Sequence, residues 1–224
     1  MSLSVGMLSG FIQNIGAAAL FLPGVLNISR RGKIPAAALI MPIGFAAILG
    51  GTLSMVGSGP LILINAPTGW ITKRWDSDKL AALADRLIRT YNAHVIYTGA
   101  AGDTSYINAI IALMKYPALN AAGNTTLKEL ACLISRARLF VTTDSGPMHL
   151  AVAVGTPVVA LFGPTAPWRT GPYTERARIV RTQAPCSPCY KRTCDSMICM
   201  NEIGVDQVME AAAVFMVTEG APGT

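Results

Sequence analysis

Acidic residues are missing from the first third of the chain. No aspartate or glutamate precedes Asp76. The charged residues before that point are all basic, and they are Arg30, Arg31, Lys33, Lys73 and Arg74. The formal net charge of +6 is therefore partly a product of this segment. No basic stripe with interleaved aromatic residues occurs, so the positive excess does not indicate a nucleic-acid partner.

Charge of either sign is absent from long apolar stretches near the amino terminus. Residues 5–28 are uncharged and precede a basic cluster at residues 30–33, which is typical of a short membrane helix with a positive cytoplasmic flank. Residues 34–65 are also uncharged and are interrupted by prolines, like the broken helices of transporters. We therefore expect residues 1–60 to associate with a membrane. A buried helical pair is the alternative, and a signal peptide is disfavoured because the basic residues follow the apolar run.

The most regular part of the chain is residues 139–165, with the sequence LFVTTDSGPMHLAVAVGTPVVALFGPT. Apolar, β-favouring runs at residues 139–142 and 158–162 predict two buried strands. Between them, apolar residues at helical spacing predict a helix that ends at Gly155 and Pro157. A strand, a polar turn, a helix and a strand in succession predict a parallel α/β sheet.

The polar turn of this unit, residues 144–149, is a candidate ligand site. In open parallel sheets, ligands bind at the carboxyl ends of strands, where the following helices begin. Gly146 permits close approach of a ligand to the backbone, and Pro147 suits the first helical position. The free N–H groups of the first helical turn attract phosphate or another anion. Asp144 would repel phosphate, so we expect it to face a sugar hydroxyl or a helix N–H group.

Helix caps offer a simpler interpretation of several polar residues. Asp144 or Ser145 could cap the helix that follows, with His149 as a core residue. Thr126 and Glu129 have the spacing of a capping box at the start of another helix. For Asp144 and Ser145, the sequence does not decide between a role in a ligand site and a role as a helix cap.

The rest of the chain after residue 75 is also regular. Asp76 or Ser77 is expected to cap a helix whose apolar residues recur at the spacing of one helical stripe. Residues 95–97 predict a short strand, and the glycine-rich turn at residues 98–103 precedes the next helix. Residues 205–217 predict an amphipathic closing helix.

Several segments, in the right order, resemble glycosyltransferase family 9, the lipopolysaccharide heptosyltransferases, which have the GT-B fold. The run TTDSGPMHLAVAVGTPVVALFGPTAPWRTGPY at residues 142–173 carries most of this similarity. Further similar segments are WITKRW at residues 70–75, GNTTLKEL at 123–130, CSPCYKR at 186–192 and CM at 199–200. The resemblance covers about residues 61–224, and it implies one Rossmann-like parallel-sheet domain, the carboxyl half of a GT-B fold.

The resemblance implies a nucleotide-sugar donor similar to ADP-heptose. The donor-binding residues that it implies are Lys73, Asp103, Thr125, Asp144, Ser145, Gly146, Pro147, Met148 and His149. Lys73 and the helix N-terminus would stabilise the diphosphate leaving group, so no cofactor is required for transfer. Asp103 is expected near the ribose, and the alternative is that it caps the following helix.

The same resemblance implies an inverting transfer to a lipopolysaccharide-core acceptor at the cytoplasmic face of the inner membrane of a bacterium. Such a transfer needs a general base at the acceptor hydroxyl. In the family this base is an aspartate on the amino-terminal half, whereas residues 1–60 contain no Asp, Glu or His. We therefore expect no catalytic base in this chain, which would bind the donor and be inactive alone.

The amino-terminal segment is similar to a different family. QNIGAAALFLP at residues 13–23 and the glycine and proline pattern of residues 34–60 resemble segments of divalent anion:sodium symporters. Two parts are therefore predicted, a permease-like helical segment at residues 1–60 and a nucleotide-sugar-binding domain at residues 61–224. Two other functions remain open: a membrane anion permease fragment with a passive fused domain, and a nucleotide-sugar-binding module without catalysis.

The cysteines fall into two groups. Cys132 lies on an apolar helical face and is predicted to be a core residue. Cys186, Cys189, Cys194 and Cys199 form a C-x2-C-x4-C-x4-C pattern in a loop. Four thiols can hold zinc or an iron–sulfur cluster, so a structural metal site is predicted there. Disulfides, which need an oxidising compartment, and free thiols are the alternatives.

Overall fold

The computed structural model of the chain describes residues 59–217. The residues from Pro60 onward belong to one compact unit. The predicted permease-like membrane segment, residues 1–60, therefore lies outside the described residues except at its carboxyl end. Within the described part of the chain, no helix is both long enough and apolar enough to cross a membrane.

A six-stranded sheet forms the centre of the domain, with the strand order β3-β2-β1-β4-β5-β6. The strands are β1 (Leu61–Asn65), β2 (His94–Thr98), β3 (Leu119–Asn120), β4 (Leu139–Thr143), β5 (Val158–Phe162) and β6 (Ala177–Arg181). Neighbouring strands are parallel throughout. This confirms the predicted parallel α/β sheet, and the order is the one found in doubly wound nucleotide-binding sheets.

Helices connect the strands and close the domain. They are α1 (Ser77–Tyr91), α2 (Thr104–Ala112), α3 (Leu127–Ser135), α4 (Gly146–Ala153), α5 (Pro167–Thr170), α6 (Ile198–Asn201) and α7 (Val205–Val217). Short 3-10 turns at Ile71–Lys73 and Ala101–Asp103 precede α1 and α2. Because neighbouring strands are parallel, each connection crosses over a face of the sheet to the start of the next strand. The turns that follow the strands therefore all lie at the carboxyl edge of the sheet.

Side chains of the central strands alternate between two apolar layers. Ile62 and Ile64 of β1 belong to one layer, together with side chains of α1, α2 and α7. Leu63 belongs to the other layer, with Phe140 of β4 and with side chains of α3 and α4. Parallel strands are covered on both faces, which explains why β4 and β5 are apolar runs without alternation.

Helices α1 and α3 start at residues whose side chains cap them. The Asp76 carboxylate accepts the N–H of Asp78 at 2.8 Å and caps α1. The predicted capping box on α3 is confirmed: the Thr126 hydroxyl accepts the Glu129 N–H at 3.3 Å, and the Glu129 carboxylate accepts the Thr126 N–H at 2.8 Å. The hydrogen bond from the Thr126 backbone is the main cause that lowers the pKa of Glu129.

We predict that Asp76→Ala destabilises the domain by about 0.5–2 kcal/mol, the usual cost of losing a helix cap. Urea unfolding followed by far-ultraviolet circular dichroism measures the change in free energy of unfolding. Asp78→Ala is the matched control, since it removes the same charge from the first turn but leaves the cap hydrogen bond in place. The control should cost less, and equal costs would contradict the assignment of Asp76 as the cap.

Candidate functional site

A cavity of about 640 Å³ opens at the carboxyl edge of the sheet, where the strand order reverses between β1 and β4. Its lining comes from the turns after β1, β2 and β4 and from the first residues of α3 and α4. Small-molecule sites commonly have volumes of about 300–1,000 Å³. In open α/β sheets this switch point is where ligands bind, so the cavity is the candidate site.

An ion pair joins two walls of the cavity. The Nζ of Lys73, which follows β1, lies 2.7 Å from the Oδ2 of Asp144, which follows β4, and the side chains are only 14% and 8% exposed. The same Nζ donates to the Asp144 carbonyl at 3.3 Å and lies 4.4 Å from the centre of the Trp70 ring. Asp144 therefore has a lysine as its partner, which its position in the sequence does not indicate.

Asn65, the last residue of β1, ties three strand ends together at the cavity. Its amide donates to the Pro67 carbonyl at 3.1 Å, and its side-chain oxygen accepts from the Thr98 hydroxyl of β2 at 3.1 Å. The Ser145 hydroxyl lies 3.5 Å from the Asn65 amide nitrogen and 3.0 Å from the Thr142 hydroxyl of β4. Asn65 was not among the predicted site residues, and the only signal for it in the sequence is a polar side chain directly after an apolar strand.

Helix α4 begins at the cavity without a side-chain cap. Ser145 is the N-cap residue but makes no side-chain hydrogen bond to the helix, and the Asp144 carboxylate is paired with Lys73. The alternative of plain helix caps therefore does not hold for this turn. A Cβ at Gly146 would meet no atom within 4 Å, so the space beside that backbone is open. An uncapped helix N-terminus favours an anion.

Most of the predicted donor-binding residues lie around this cavity. The lining includes Lys73, Asp103, Thr125, Asp144, Ser145, Gly146 and Pro147. The side chain of Met148 is fully buried in the core beneath α4, so only its backbone could take part in donor binding, and that role stays a prediction. His149 is exposed and is not part of the lining, so the alternative that it is a core residue is wrong. Pro147 is the second helical residue and not the first.

Asp103 has a local partner as well as a place in the cavity lining. Its Oδ2 accepts the Ala100 N–H at 2.9 Å, which holds the turn after β2. The side chain also lines the cavity. The capping contact is thus present, and the role of Asp103 near a ribose stays a prediction.

The cysteines of the described residues are all free thiols. Cys199 is 6% exposed, whereas Cys186 is exposed. Within residues 59–217, no group of three or more His, Cys, Asp or Glu side chains could hold a metal ion. In the described residues, the four thiols of the loop therefore do not form the predicted structural metal site. Cys132, predicted as a core residue, is exposed on α3, because the buried position of that helix is Ile134.

Two thiols of the loop differ in acidity. The Met197 backbone N–H donates to the Cys194 Sγ at 3.4 Å, and this hydrogen bond, with a smaller effect from the Ser196 hydroxyl, lowers the pKa of Cys194. Burial, with smaller effects from neighbouring thiols, raises the pKa of Cys199. The thiolate is the reactive form of cysteine, so the two side chains should react at different rates.

We predict that iodoacetamide at neutral pH labels Cys194 faster than Cys199. An ordinary thiol has a pKa of about 8.5, so lowering the pKa increases the thiolate fraction at neutral pH and raising it decreases that fraction. Peptide mapping by mass spectrometry over time measures both rates. Ser196→Ala removes one hydrogen bond and should slow Cys194 alone. Equal labelling rates for the two thiols would contradict this assignment.

Comparisons with known sequences identify relatives of the domain. The profile of glycosyltransferase family 9 (heptosyltransferase) matches residues 45–198. The chain is 33% identical over 146 residues to lipooligosaccharide heptosyltransferase 2 of Campylobacter jejuni. This alignment covers 62% of this chain and 46% of that protein. It is 38% identical over 113 residues to lipopolysaccharide heptosyltransferase 2 of Escherichia coli K12, which covers 49% of this chain and 32% of that protein.

Solved structures share the fold. The structure of E. coli ADP-heptose lipopolysaccharide heptosyltransferase II gives a TM-score of 0.64 at 31% identity, over 76% of this chain and 50% of that one. An iron-containing dodecameric glycosyltransferase of enterotoxigenic E. coli gives a TM-score of 0.57 at 19% identity, over 71% of this chain and 46% of that one. The second likeness shows the fold alone.

The family match is broader than the described domain at its amino-terminal end. It begins at residue 45, upstream of the predicted boundary at residue 61. The chain spans about half the length, or less, of the relatives that it matches. Because the profile matches residues 45–198, well over half of the sequence, the chain belongs to glycosyltransferase family 9, the heptosyltransferase family.

Proposed function

We propose that residues 61–224 are the donor-binding half of a lipopolysaccharide heptosyltransferase, and that the donor is a nucleotide diphosphate sugar similar to ADP-heptose. The observation that carries this proposal is the Lys73 ammonium group in a cavity where helix α4 begins without a cap. A cation and a helix N-terminus together form an anion site. The diphosphate is the anionic part of a nucleotide sugar. One relative is described as an ADP-heptose lipopolysaccharide heptosyltransferase.

The side chains around the cavity differ in charge and hydrogen-bonding capacity, and each kind suits a different part of the donor. Lys73 and the start of α4 provide donors and positive charge, which suit the diphosphate. Asp144 provides an acceptor that repels phosphate and suits sugar hydroxyls. Asp103 and Thr125 line the part of the cavity next to the turn after β2 and the start of α3, and we assign them to the nucleoside.

Donor binding exchanges one partner of Lys73 for another. Asp144 balances the Lys73 charge in the structure, and a diphosphate, with more negative charge than one carboxylate, competes for the same ammonium group. Asp144 then needs new donors, because a buried carboxylate that loses its partner is strongly destabilising. Sugar hydroxyls can supply those donors. A nucleotide sugar should therefore bind better than the nucleotide diphosphate alone.

The role of this chain in transfer is to hold the donor and to stabilise the diphosphate as it leaves. Negative charge grows on the leaving oxygen, and a preorganised cation and helix N–H groups stabilise it without a metal. We assign the general base that activates the acceptor to the amino-terminal half of the enzyme, and the acceptor to the lipopolysaccharide core. By itself, this chain is expected to bind the donor without turnover at the rate of the complete enzymes.

We predict that Lys73→Ala weakens the binding of ADP-heptose by about 10- to 150-fold, because a hydrogen bond to a charged group is typically worth about 1.5–3 kcal/mol. Asp144→Ala should also weaken binding, through lost contacts with the sugar. Isothermal titration calorimetry of the native chain and of each variant measures the two affinities.

The matched control for the charge is Lys115→Ala, because Lys115 is exposed and lies outside the cavity lining. It should leave the affinity unchanged. Titration with ADP as a second ligand separates the two roles, since Asp144→Ala should cost more affinity for ADP-heptose than for ADP. Native affinity for ADP-heptose in both site variants would contradict the assignment.

We also propose that residues 1–60 attach the chain to the cytoplasmic face of the bacterial inner membrane. The support is the pair of uncharged stretches with a basic cluster between them at residues 30–33. We predict that the full chain sediments with washed membranes and is released by detergent, whereas a chain that starts at Leu61 stays in the supernatant. A full chain that is soluble and monomeric without detergent would contradict the proposal.

A further inference from the structure

A short part of the cysteine loop, residues 187–192, crosses the carboxyl edge of the sheet beside the cavity. We refer to it as the strap. Its first half is fixed to the turn after β5, where the N–H groups of Cys189 and Tyr190 donate to the Pro164 carbonyl at 3.1 and 2.8 Å. Its second half reaches the turn after β1. Because β4 lies between β1 and β5 in the sheet, the strap passes the strand end that carries Asp144.

The second half of the strap holds the turn that carries Lys73. The Thr72 hydroxyl, in a side chain only 2% exposed, donates to the Lys191 carbonyl at 2.8 Å. The Arg192 guanidinium lies 4.8 Å from the centre of the Trp70 ring. Thr72 belongs to the same 3-10 turn as Lys73, and Trp70 is the N-cap residue of that turn. Both of these contacts are therefore made within three residues of the cation in the cavity.

The Trp70 ring connects the two cations. The Lys73 Nζ lies 4.4 Å from the ring centre, and the Arg192 guanidinium lies 4.8 Å from the same centre. A free lysine side chain loses much rotamer entropy when it is fixed. Contact with an aromatic ring favours one position of the ammonium group, provided that the ring itself is held. Arg192 restricts the ring, and the ring restricts Lys73.

The first half of the strap reaches the other member of the ion pair. The Arg169 guanidinium lies 5.4 Å from the centre of the Tyr190 ring. Its neighbour in α5, Thr170, donates its hydroxyl to the Asp144 Oδ2 at 3.4 Å. The strap thus contacts the turn that carries Lys73 on one side, and on the other side it contacts Arg169, the neighbour of the residue that donates to Asp144.

We propose that the strap positions the diphosphate-binding lysine: Arg192 and the Lys191 carbonyl hold the turn at residues 70–73, so that the Lys73 ammonium group stays at the cavity. The proposal rests on the proposed donor-binding function. Arg192 is a positioning residue and not a ligand of the donor, because it is exposed and lies outside the cavity lining. The role of the cysteine loop is then to form and anchor this support.

The binding test uses Arg192→Ala in the full chain, with ADP as the ligand. ADP affinity should fall about two- to fivefold, the usual range for an exposed cation–aromatic contact. Adenosine affinity should not change, because adenosine has no diphosphate for Lys73. In a Lys73→Ala background, Arg192→Ala should cause no further loss of ADP affinity. A loss that persists in that background would mean that Arg192 binds the ligand directly, and would overturn the proposal.

The matched control is Arg181→Ala. Its guanidinium lies 5.3 Å from the centre of the Trp168 ring, so it removes the same charge and the same type of contact at the end of β6. ADP affinity should equal that of the native chain. A loss of ADP affinity equal to that of Arg192→Ala would mean that the effect comes from the loss of one positive charge anywhere in the domain. It would overturn the proposal.

A second measurement needs no ligand. Reductive methylation adds ¹³C-labelled methyl groups to each lysine, and NMR spectroscopy detects them. The NMR signal of Lys73 is identified by its loss in Lys73→Ala. Because the ring current of Trp70 shifts a group above it, Arg192→Ala should move this signal and Arg181→Ala should not. Thr72→Val, which leaves the Lys191 carbonyl without its donor, should also move the signal, and Thr72→Ser should restore it.

The two measurements separate failure of the inference from failure of the proposed function. A native chain that does not bind ADP would overturn the donor-binding function, while the Lys73 signal would still report whether the strap positions the lysine. A Lys73 signal that is unmoved in Arg192→Ala would overturn the role of the strap, even where ADP binding by the native chain is strong.

Discussion

The ion pair between Lys73 and Asp144 is the contact on which the cavity depends. Its side chains are 14% and 8% exposed, so neither charge would be stable there without the other. The pair forms because β1 and β4 are neighbours in the sheet, which brings the turns that follow them together. The strand order thus determines the chemistry of the crevice, where a cation, a carboxylate and the start of a helix meet. The diphosphate and the sugar of the proposed donor need these groups side by side.

Features that depend on neighbours in the sequence could be predicted. The apolar runs of β4 and β5 predicted the sheet, and the spacing of Thr126 and Glu129 predicted the start of α3. The turn and the helix after Asp144 could be predicted from the local sequence in the same way. Lys73 entered the predicted site only through the family resemblance, since no local pattern distinguishes it from Arg74. Asn65 was missed because one polar residue after a strand is a weak signal.

Contacts between distant residues could not be predicted in the same way. Lys73 pairs with a residue 71 positions away, and Thr72 binds a carbonyl 119 positions away. Cys132 was misplaced for another reason, because helical spacing does not fix which side of a short helix meets the sheet. The number of thiols in the cysteine loop predicted a metal, whereas the contacts of the loop lead to the turn that carries Lys73.

A crystal structure of the chain with bound ADP tests the central claim most directly, that the crevice between β1 and β4 is the diphosphate site. The diphosphate oxygens should lie about 2.7–3.2 Å from the Lys73 Nζ, the usual hydrogen-bond distance, at the start of α4. The Asp144 carboxylate should then face the open side of the cavity. ADP bound away from this crevice, or bound there while Lys73 contacts Asp144 alone, would contradict the claim.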